Sequence, residues 1–456
     1  MFEKDNITPT ISIQEIKEKP YYTVLSVELG NTTIKSIITT TNLKTNNNYQ
    51  INKTVNLTRD IRKPKLNEEI ICKTLWDQPL TKESIIEIIQ KTINQSLKQS
   101  NMVINDLDFV VRSTGITATN KDSVETGIII KTLADACLQM NIPPSKMTPS
   151  LKIENLPKHI QKYSYLTQVQ FDGSVVSVMP PKTKMIVANE MEGELVTAGL
   201  KLASNWTNID YRNPVISIDM GTTLAGRIID DNAPYADVVG NFCGLAGAIS
   251  DIIVSNRYDD TTKDISMIDI KENKSNPKIN SKISLEYTKL IHENIIIEEV
   301  PQDTKNCAGI NVNTKYAKKH NITLIGCNIK NKKQLQKIGK EIQDTTQLLN
   351  IIDHVNAKII ERLIEVANQK KIISPETTLG ITGRAGTTGK KQEIIKKTLS
   401  KQFKEILFYP DALAMGAAMM VRCMNSLGTP TKPIGGKKHS MCIMQQRIFE
   451  QKKKLK

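Results

Sequence analysis

Three features of the chain predict an α/β protein of two lobes. Its 456 residues exceed the ~150 residues common for a single domain about threefold. Strand-like runs followed by helix-like runs occur twice over. Each half opens on a hairpin whose turn carries an acid, a glycine and threonines, ELGNTT at residues 28–33 and DMGTT at residues 219–223. A motif that returns after about 190 residues reads as duplication of one α/β unit.

The elements follow in order. Residues 21–41 read as two strands joined at ELGNT, with a third from Ile51. Thr81 is placed to cap a helix over KESIIEIIQKTINQSLKQS, because Ile85, Ile86, Ile89, Ile93 and Leu97 recur on one helical face. LDFVVR from Leu107 is a strand, and residues 122–140 are an amphipathic helix ended by Pro143 and Pro144. Beyond an irregular stretch, MIVANEMEGELVTAGLK gives a short strand feeding a helix near residues 190–201. Strand signals restart at Val215, and a helix is expected at 243–254. Residues 257–340 are polar, rich in Lys and Asn, and only weakly periodic. A long helix is expected over 341–370, then a strand into ITGRAGTTGK and a helix from near Lys390. KEILFYP and the helix DALAMGAAMMVRC are the last elements.

Composition narrows the function classes. The chain is 39% hydrophobic and 24% charged, which suits a globular protein with a large core, and no window approaches the ~18 apolar residues of a membrane helix. MFEKDNITPT lacks the basic-then-apolar layout of a secretory signal, and the seven cysteines are scattered with no C-x-x-C pair. That argues against a disulfide framework and a cysteine-only metal site, and places the protein in the cytoplasm. Of the net charge of +15, eight Lys or Arg against Glu450 in residues 432–456 supply +7, so the basic character is concentrated in a tail. Aromatic residues are only 4%, which removes the stacking platforms of single-strand binders and argues against a nucleic-acid partner.

The hairpins carry the chemistry. Glycine at a strand turn lets backbone approach phosphate, and successive N–H groups there form an anion-binding concavity. A carboxylate at the strand's end is badly placed beside phosphate unless a cation lies between them. Mg²⁺ suits that position, since it takes one or two carboxylates plus phosphate oxygens and keeps several waters. Asp219, Gly221, Thr222 and Thr223 therefore suit a Mg²⁺–polyphosphate cradle, with Glu28, Gly30, Asn31, Thr32 and Thr33 as the corresponding set. Taken singly, either hairpin is also explained as a type I′ turn, which uses Gly or Asn only to reach positive φ.

Two helices present small faces, one through Gly193, Ala198 and Gly199, the other through Ala412, Ala414, Gly416, Ala417 and Ala418. Helical glycine costs about 1 kcal/mol relative to alanine, so close backbone approach is expected to offset it. Ordinary core packing is the competing explanation. GITGRAG at residues 380–386 follows a strand and precedes a helix, and its Gly383, Arg384 and Gly386 would let the chain pass flat against a purine and its ribose.

The order of these motifs resembles the superfamily of acetate and sugar kinases, heat-shock chaperone ATPases and actin, over about residues 21–422. The resemblance implies two ribonuclease H-like (actin-like ATPase) lobes clasping ATP, with an inserted subdomain in the second. On that pattern residues 1–20 are an extension, 21–205 the first lobe, 206–425 the second with its insertion at about 257–340, and 426–456 a basic tail. Asn189 and Glu190 match the first connecting motif, Gly383 to Gly386 the adenosine motif, and residues 410–418 the second connecting motif. YYTVLSVELGNTT, VVRSTGI, NLPKHIQKYS, ANEMEGELVTAG and NFCGLAGAI are similar to the archaeal family called methanogenesis marker protein 14. DMGTT followed by GNFCGLAGAISD is also similar to the C-terminal half of ATPases that reductively activate corrinoid proteins. Those carry an iron–sulfur domain for which this chain has no cysteine spacing, so a partner would supply electrons. Three positions depart from the superfamily: Glu28 stands for the usual Asp, Thr382 for the first of a paired glycine, and Met191 for a proline.

What the resemblance implies is a Mg²⁺-dependent ATPase whose lobes open and close with nucleotide state. Asp219 and Glu28 would hold the metal's waters, Thr32, Thr222, Thr223 and the N–H groups at Gly30 and Gly221 the phosphates, and Glu190 the attacking water. No reactive nucleophile is needed, because phosphoryl transfer is mostly positioning and charge neutralisation. A protein client is expected, such as a corrinoid or other low-potential redox enzyme system. Two alternatives stand beside it: a catalytically silent nucleotide-dependent scaffold, suggested by Glu28 and Thr382, and a small-molecule kinase of the same fold.

Overall fold

The computed structural model describes residues 11–17, 21–42, 47–116, 123–147, 168–172, 175–179, 188, 190–231, 237–255, 266–271 and 279–424. They divide into two compact units, one drawn from Met1–Met185, Asn205–Asn208 and Leu413–Lys456, the other from Ile186–Ser204 and Ile209–Ala412. Among the described residues no helix is long and apolar enough to cross a membrane.

The first unit runs α1 (Ile13–Lys17), β1 (Tyr21–Leu29), β2 (Thr33–Asn42), β3 (Asn48–Leu57), β4 (Ile70–Lys73), β5 (Pro79–Thr81), α2 (Lys82–Gln99), β6 (Phe109–Thr114), α3 (Ser123–Gln139), β7 (Gln168–Asp172) and β8 (Val175–Met179). Its main sheet has the order β3-β2-β1-β6, with β1 antiparallel to β2, β2 antiparallel to β3 and β1 parallel to β6. The cap expected at Thr81 is present: its hydroxyl accepts the N–H of Ser84, and the Ser84 hydroxyl accepts the N–H of Thr81. Ile85, Ile86, Ile89, Ile93 and Leu97 are all buried in one core with Leu25, Val27, Ile34 and Leu133. Each such side chain contributes about 1.5–3 kcal/mol by leaving water, which is why this stripe fixes the helix on the sheet.

In the second unit come α4 (Glu190–Ser204), β9 (Val215–Met220), β10 (Thr223–Ile229), β11 (Val238–Leu245), α5 (Gly247–Val254), α6 (Ser281–His292), β12 (Ile295–Glu299), β13 (Asn306–Cys307), β14 (Ile310–Asn311), α7 (Thr314–Lys319) and β15 (Thr323–Ile329). They are followed by α8 (Lys332–Glu341), α9 (Thr345–Gln369), β16 (Thr378–Thr382), α10 (Arg384–Thr387), α11 (Lys391–Leu399), β17 (Ile406–Phe408) and α12 (Ala412–Met424), the last passing into the first unit at Leu413. The seven-stranded sheet has the order β12-β15-β11-β10-β9-β16-β17. Strand β10 is antiparallel to both β9 and β11, while β16 is parallel to β9 and β17, and β15 is parallel to β11. Five strands therefore end at one edge. The strand order β11-β10-β9-β16 repeats β3-β2-β1-β6 in direction as well as sequence, so the two acidic hairpins occupy equivalent positions in their sheets.

Several expectations are corrected. Residues 238–245 are strand, not the first turn of a helix, and Cys243 sits in the sheet; a short apolar run bounded by glycine fits either period. The long helix expected over 341–370 is present as Thr345–Gln369, starting later than expected because Asp344 accepts the N–H of Gln347 at 2.6 Å and caps its first turn, while Glu341 ends the preceding helix. Within residues 257–340, β12 and β15 join the main sheet, their short buried runs IIIEE and TLIGCNI being masked by Lys-rich flanks. Helix α4, placed by sequence before a boundary at 205, packs on β9, β10 and β16 and so belongs to the second unit. The strand expected before it, the segment NLPKHIQKYS and the basic tail lie outside the described residues.

His292, at the end of α6, gives this unit a pH signature. Its Nε2–H donates to the carbonyl of Val355 at 3.0 Å, and its Nδ1 accepts from Arg362 at 3.2 Å. Burial, opposed by the Val355 bond and reinforced by Arg362 and Lys358, holds the imidazole down to about 4. The unfolded chain therefore takes up this proton first as pH falls. Stability is complete above pH ~6.5 and falls towards pH 4, by up to about 3 kcal/mol. Urea unfolding between pH 7 and 4.5 should show this slope, and His292→Gln should flatten it.

Candidate functional site

Strand β9 is buried along its whole length, as expected of a strand in a sheet packed on both faces, and Asp219, its one charged residue, is only 5% exposed. Asp219 lies in register with Ala225 of β10 on one side and Thr382 of β16 on the other. The turn that follows is held from behind. Gly247 N–H donates to the Gly221 carbonyl at 2.7 Å, and the N–H groups of Ala246 and Ala248 donate to the Thr222 carbonyl at 3.2 and 3.1 Å. Both turn carbonyls thus face the start of α5. A carbonyl facing a phosphate would repel it, so this is the orientation a phosphate loop requires.

The loop after β16 closes on the same carboxylate. Gly383 adopts φ +81°, and a Cβ there would run into the Asp219 carboxylate and lie 2.6 Å from the carbonyl oxygen of Met220. Gly386 packs likewise, where a Cβ would meet the Ile381 side chain at 2.7 Å and Met220 at 3.2 Å. Thr382 accepts the N–H of Ala412 through its hydroxyl at 3.2 Å and so holds the first residue of α12. Arg384 opens α10 with Nη2 4.0 Å from the Asp251 carboxylate, whose other oxygen accepts the N–H of Met267 at 2.8 Å. Burial lowers the guanidinium's pKa against the pull of Asp251 and Asp269, yet arginine stays charged. Its Nη1 is buried with no hydrogen-bond partner among the described residues. Such a donor costs about 1–3 kcal/mol, so a ligand acceptor there would offset a standing penalty.

Glu190 is the first residue of α4. Further along, Glu194 lies 3.9 Å from Arg227 of β10, and the Thr197 and Ser217 hydroxyls share a hydrogen bond of 2.7 Å. The close approach expected of the small-faced helix is present. A Cβ on Gly193 would sit 3.1 Å from the Gly226 backbone, and one on Gly199 would collide with the carbonyl of Ala412.

In the first unit the Glu28 hairpin repeats the same logic. Glu28 is in register with Lys35 and Ser113. Gly30 N–H donates to the Thr33 carbonyl at 2.9 Å. Thr58 satisfies the turn from behind, donating its N–H to the Thr32 carbonyl at 2.9 Å and its hydroxyl to the Gly30 carbonyl at 2.8 Å. Asn31 is spent inside the fold: Nδ2 donates to the Gly115 carbonyl at 3.1 Å, and Oδ1 accepts the N–H of Leu75 at 2.8 Å. It shapes the turn rather than offering its amide. Thr58 and the Ala246–Ala248 amides escaped the sequence reading, since neither has a local signal. The structure thus gathers Asp219, Gly221, Thr222, Thr223, Gly383, Arg384 and Gly386 in one unit, and Glu28, Gly30, Asn31, Thr32 and Thr33 in the other.

Among the described residues no group of three or more His, Cys, Asp or Glu could hold a metal. Mg²⁺ on a phosphate needs only one or two carboxylates, so Asp219 beside a turn without Cβ fits it, whereas a protein-only metal cage does not.

The profile of a family described as "Uncharacterized protein conserved in archaea (DUF2114)" matches residues 21–451. An uncharacterized protein of Methanocaldococcus jannaschii, MJ1451, is 46% identical over 460 residues, covering 98% of this chain and 94% of its own. One of Methanothermobacter thermautotrophicus is 47% identical over 443 residues, with 95% and 84% covered. Solved structures with some similarity include a reductive activator for a corrinoid, iron-sulfur protein, at 11% identity and TM-score 0.36, where the match covers 96% of this chain and 63% of the activator. Gluconate kinase from Lactobacillus acidophilus is another, at 10% identity and TM-score 0.38, with 95% and 97% covered. The chain belongs to the archaeal family.

Proposed function

We propose that this archaeal family member binds Mg-ATP at the carboxyl edge of its second sheet and hydrolyses it to drive activation or assembly of a partner enzyme or cofactor system in methanogenesis. The observation that carries the reading is the convergence of three chain turns at the hairpin that Asp219 leads into. The Gly221–Thr222 turn, the start of α5 and the Gly383 loop follow β9, β11 and β16, all of which end at that edge. Open α/β sheets bind ligands outside the carboxyl ends of their strands.

In this proposal the units are ribonuclease H-like lobes, a reading supported by the shared order of β3-β2-β1-β6 and β11-β10-β9-β16, and the protein acts as the methanogenesis marker protein 14 resemblance implies. Bound Mg²⁺ would neutralise charge on the phosphate oxygens. Asp219 holds the metal's waters, the Gly221 N–H and the Thr222 and Thr223 hydroxyls hold phosphates, and Glu190 orients the attacking water. Gly383 to Gly386 flank the adenosine, with Arg384 offering its Nη1, which has no hydrogen-bond partner among the described residues. The Glu28 hairpin plays the same part towards phosphate in the first unit, through Gly30, Thr32 and Thr33, with Asn31 as its brace. The client is a protein, of the corrinoid or another low-potential redox system, and the setting is the cytoplasm.

Purified protein given Mg-ATP should release phosphate steadily and stop when the metal is chelated. Tight ATP binding without release would favour the silent scaffold, the reading that Glu28 supports through its longer side chain. Neither binding nor release would overturn both.

A further inference from the structure

Cys243 and Cys307 are distant in sequence and adjacent in the second unit. Cys243 of β11 is in register with Gly326 of β15, so the two positions face the same side of the sheet. A Cβ on Gly326 would lie 2.8 Å from the sulfur of Cys307. The side chain that Gly326 lacks is therefore the space Cys307 fills, directly beside Cys243. The Cys243 thiol and the Cys307 sulfur lie close enough to perturb each other's ionisation, with the backbone N–H of Cys327 acting on Cys307 as well. Cys327 follows Gly326 in β15 and so faces the other side of the sheet. Cys243 is fully buried, whereas Cys307 is 7% exposed, next to Ala308 and Gly309, which turn β13 into β14 with φ of 52° and 94°. All three thiols are free.

We propose that Cys307 and Cys243 form a reversible dithiol–disulfide site, with Cys307 as the attacking thiol and Cys243 as the resolving one, taking a low-molecular-weight disulfide as oxidant. The Cys307 thiolate attacks one sulfur of that disulfide, forming a mixed disulfide and expelling one thiolate. Cys243 loses its proton and attacks Cys307 Sγ, forming the intramolecular bond and expelling the second thiolate. The protein dithiol is oxidised by two electrons and the small disulfide is reduced to two thiols. The surroundings fit this division of labour. The Cys243 S–H and the Cys327 N–H hold the Cys307 thiol below its ordinary range, while Cys307 and burial push Cys243 up.

The site is independent of nucleotide chemistry and is read on the thiols themselves. Full-length reduced protein is exposed to oxidised glutathione without denaturant, alkylated, and mapped by peptide mass spectrometry. The expected result is loss of two alkylatable thiols from the seven, a peptide linking Cys243 to Cys307, and recovery of both thiols with reductant. Cys307→Ser should abolish the loss, and Cys72→Ser should leave it intact. Glutathione stopping on Cys307 without a cross-link, or Cys243 and Cys307 both alkylating fully after exposure, overturns the proposal. Because the wild-type map is decisive by itself, misfolding of a variant does not obscure the answer.

Discussion

Asp219→Asn is expected to lower ATP hydrolysis roughly 10²–10³-fold, the range seen when one preorganised electrostatic contact is removed from a reacting centre. Asn keeps the shape of the side chain and loses its charge. Asp219 is the one charged residue of a strand buried along its whole length, where a carboxylate is costly unless partnered. A structural carboxylate and a metal-holding one then part company in the experiment. In a structural role, loss of charge would unfold the protein and take activity with it. In the proposed role, the melting temperature shifts by less than about 3 °C while Mg²⁺-dependent phosphate release disappears. Thermal melts and phosphate assays on the same preparation measure both. Hydrolysis at the wild-type rate in a folded Asp219→Asn variant would end the assignment.

How much of this could be read in the chain depends on where each residue's partner lies. Thr81 and the stripe from Ile85 to Leu97 were legible because cap and stripe are local, a hydroxyl three residues from its N–H and isoleucines at helical spacing. Asp219 was legible for the opposite reason, as the one charge in a strand of Val, Ile, Ser and Met. The groups that aim the turns were not. Thr58 supports the Gly30 turn and the Ala246–Ala248 amides support the Gly221 turn, and each comes from a different strand or helix. No periodicity marks a residue whose only signal is where the fold carries it. Asn31 entered the set by its place in the motif, and nothing local told that its side-chain amide would be bonded to Gly115 and Leu75. Helix α4 was legible as a helix, but period says nothing about which sheet it packs on.

Gly383→Ala and Gly221→Ala, made as a pair, should separate the fold of the site from its function. Gly383 combines φ +81° with ψ 152°, a region that only glycine occupies at little cost. For alanine the backbone penalty is about 1–3 kcal/mol. Its methyl group would also lie 2.6 Å from the Met220 carbonyl oxygen and against the Asp219 carboxylate, and such overpacking costs a further 1–3 kcal/mol or so. Together these predict a loss of about 2–6 kcal/mol, with Asp219 displaced and ATP binding lost as well. Gly221 is different. A Cβ there would stand 3.4 Å from the Thr223 carbonyl and 3.7 Å from the Asp219 carboxylate, ordinary contact distances. The fold should accept Gly221→Ala without measurable destabilisation. A methyl group on the turn would still hold a phosphate away from the backbone N–H, so ATP affinity should fall about tenfold, the equivalent of 1.4 kcal/mol. Urea unfolding and ATP titration of both variants give the four numbers needed. If Gly221→Ala binds ATP as well as the wild type does, no phosphate approaches that turn, and the hairpin is only a hairpin.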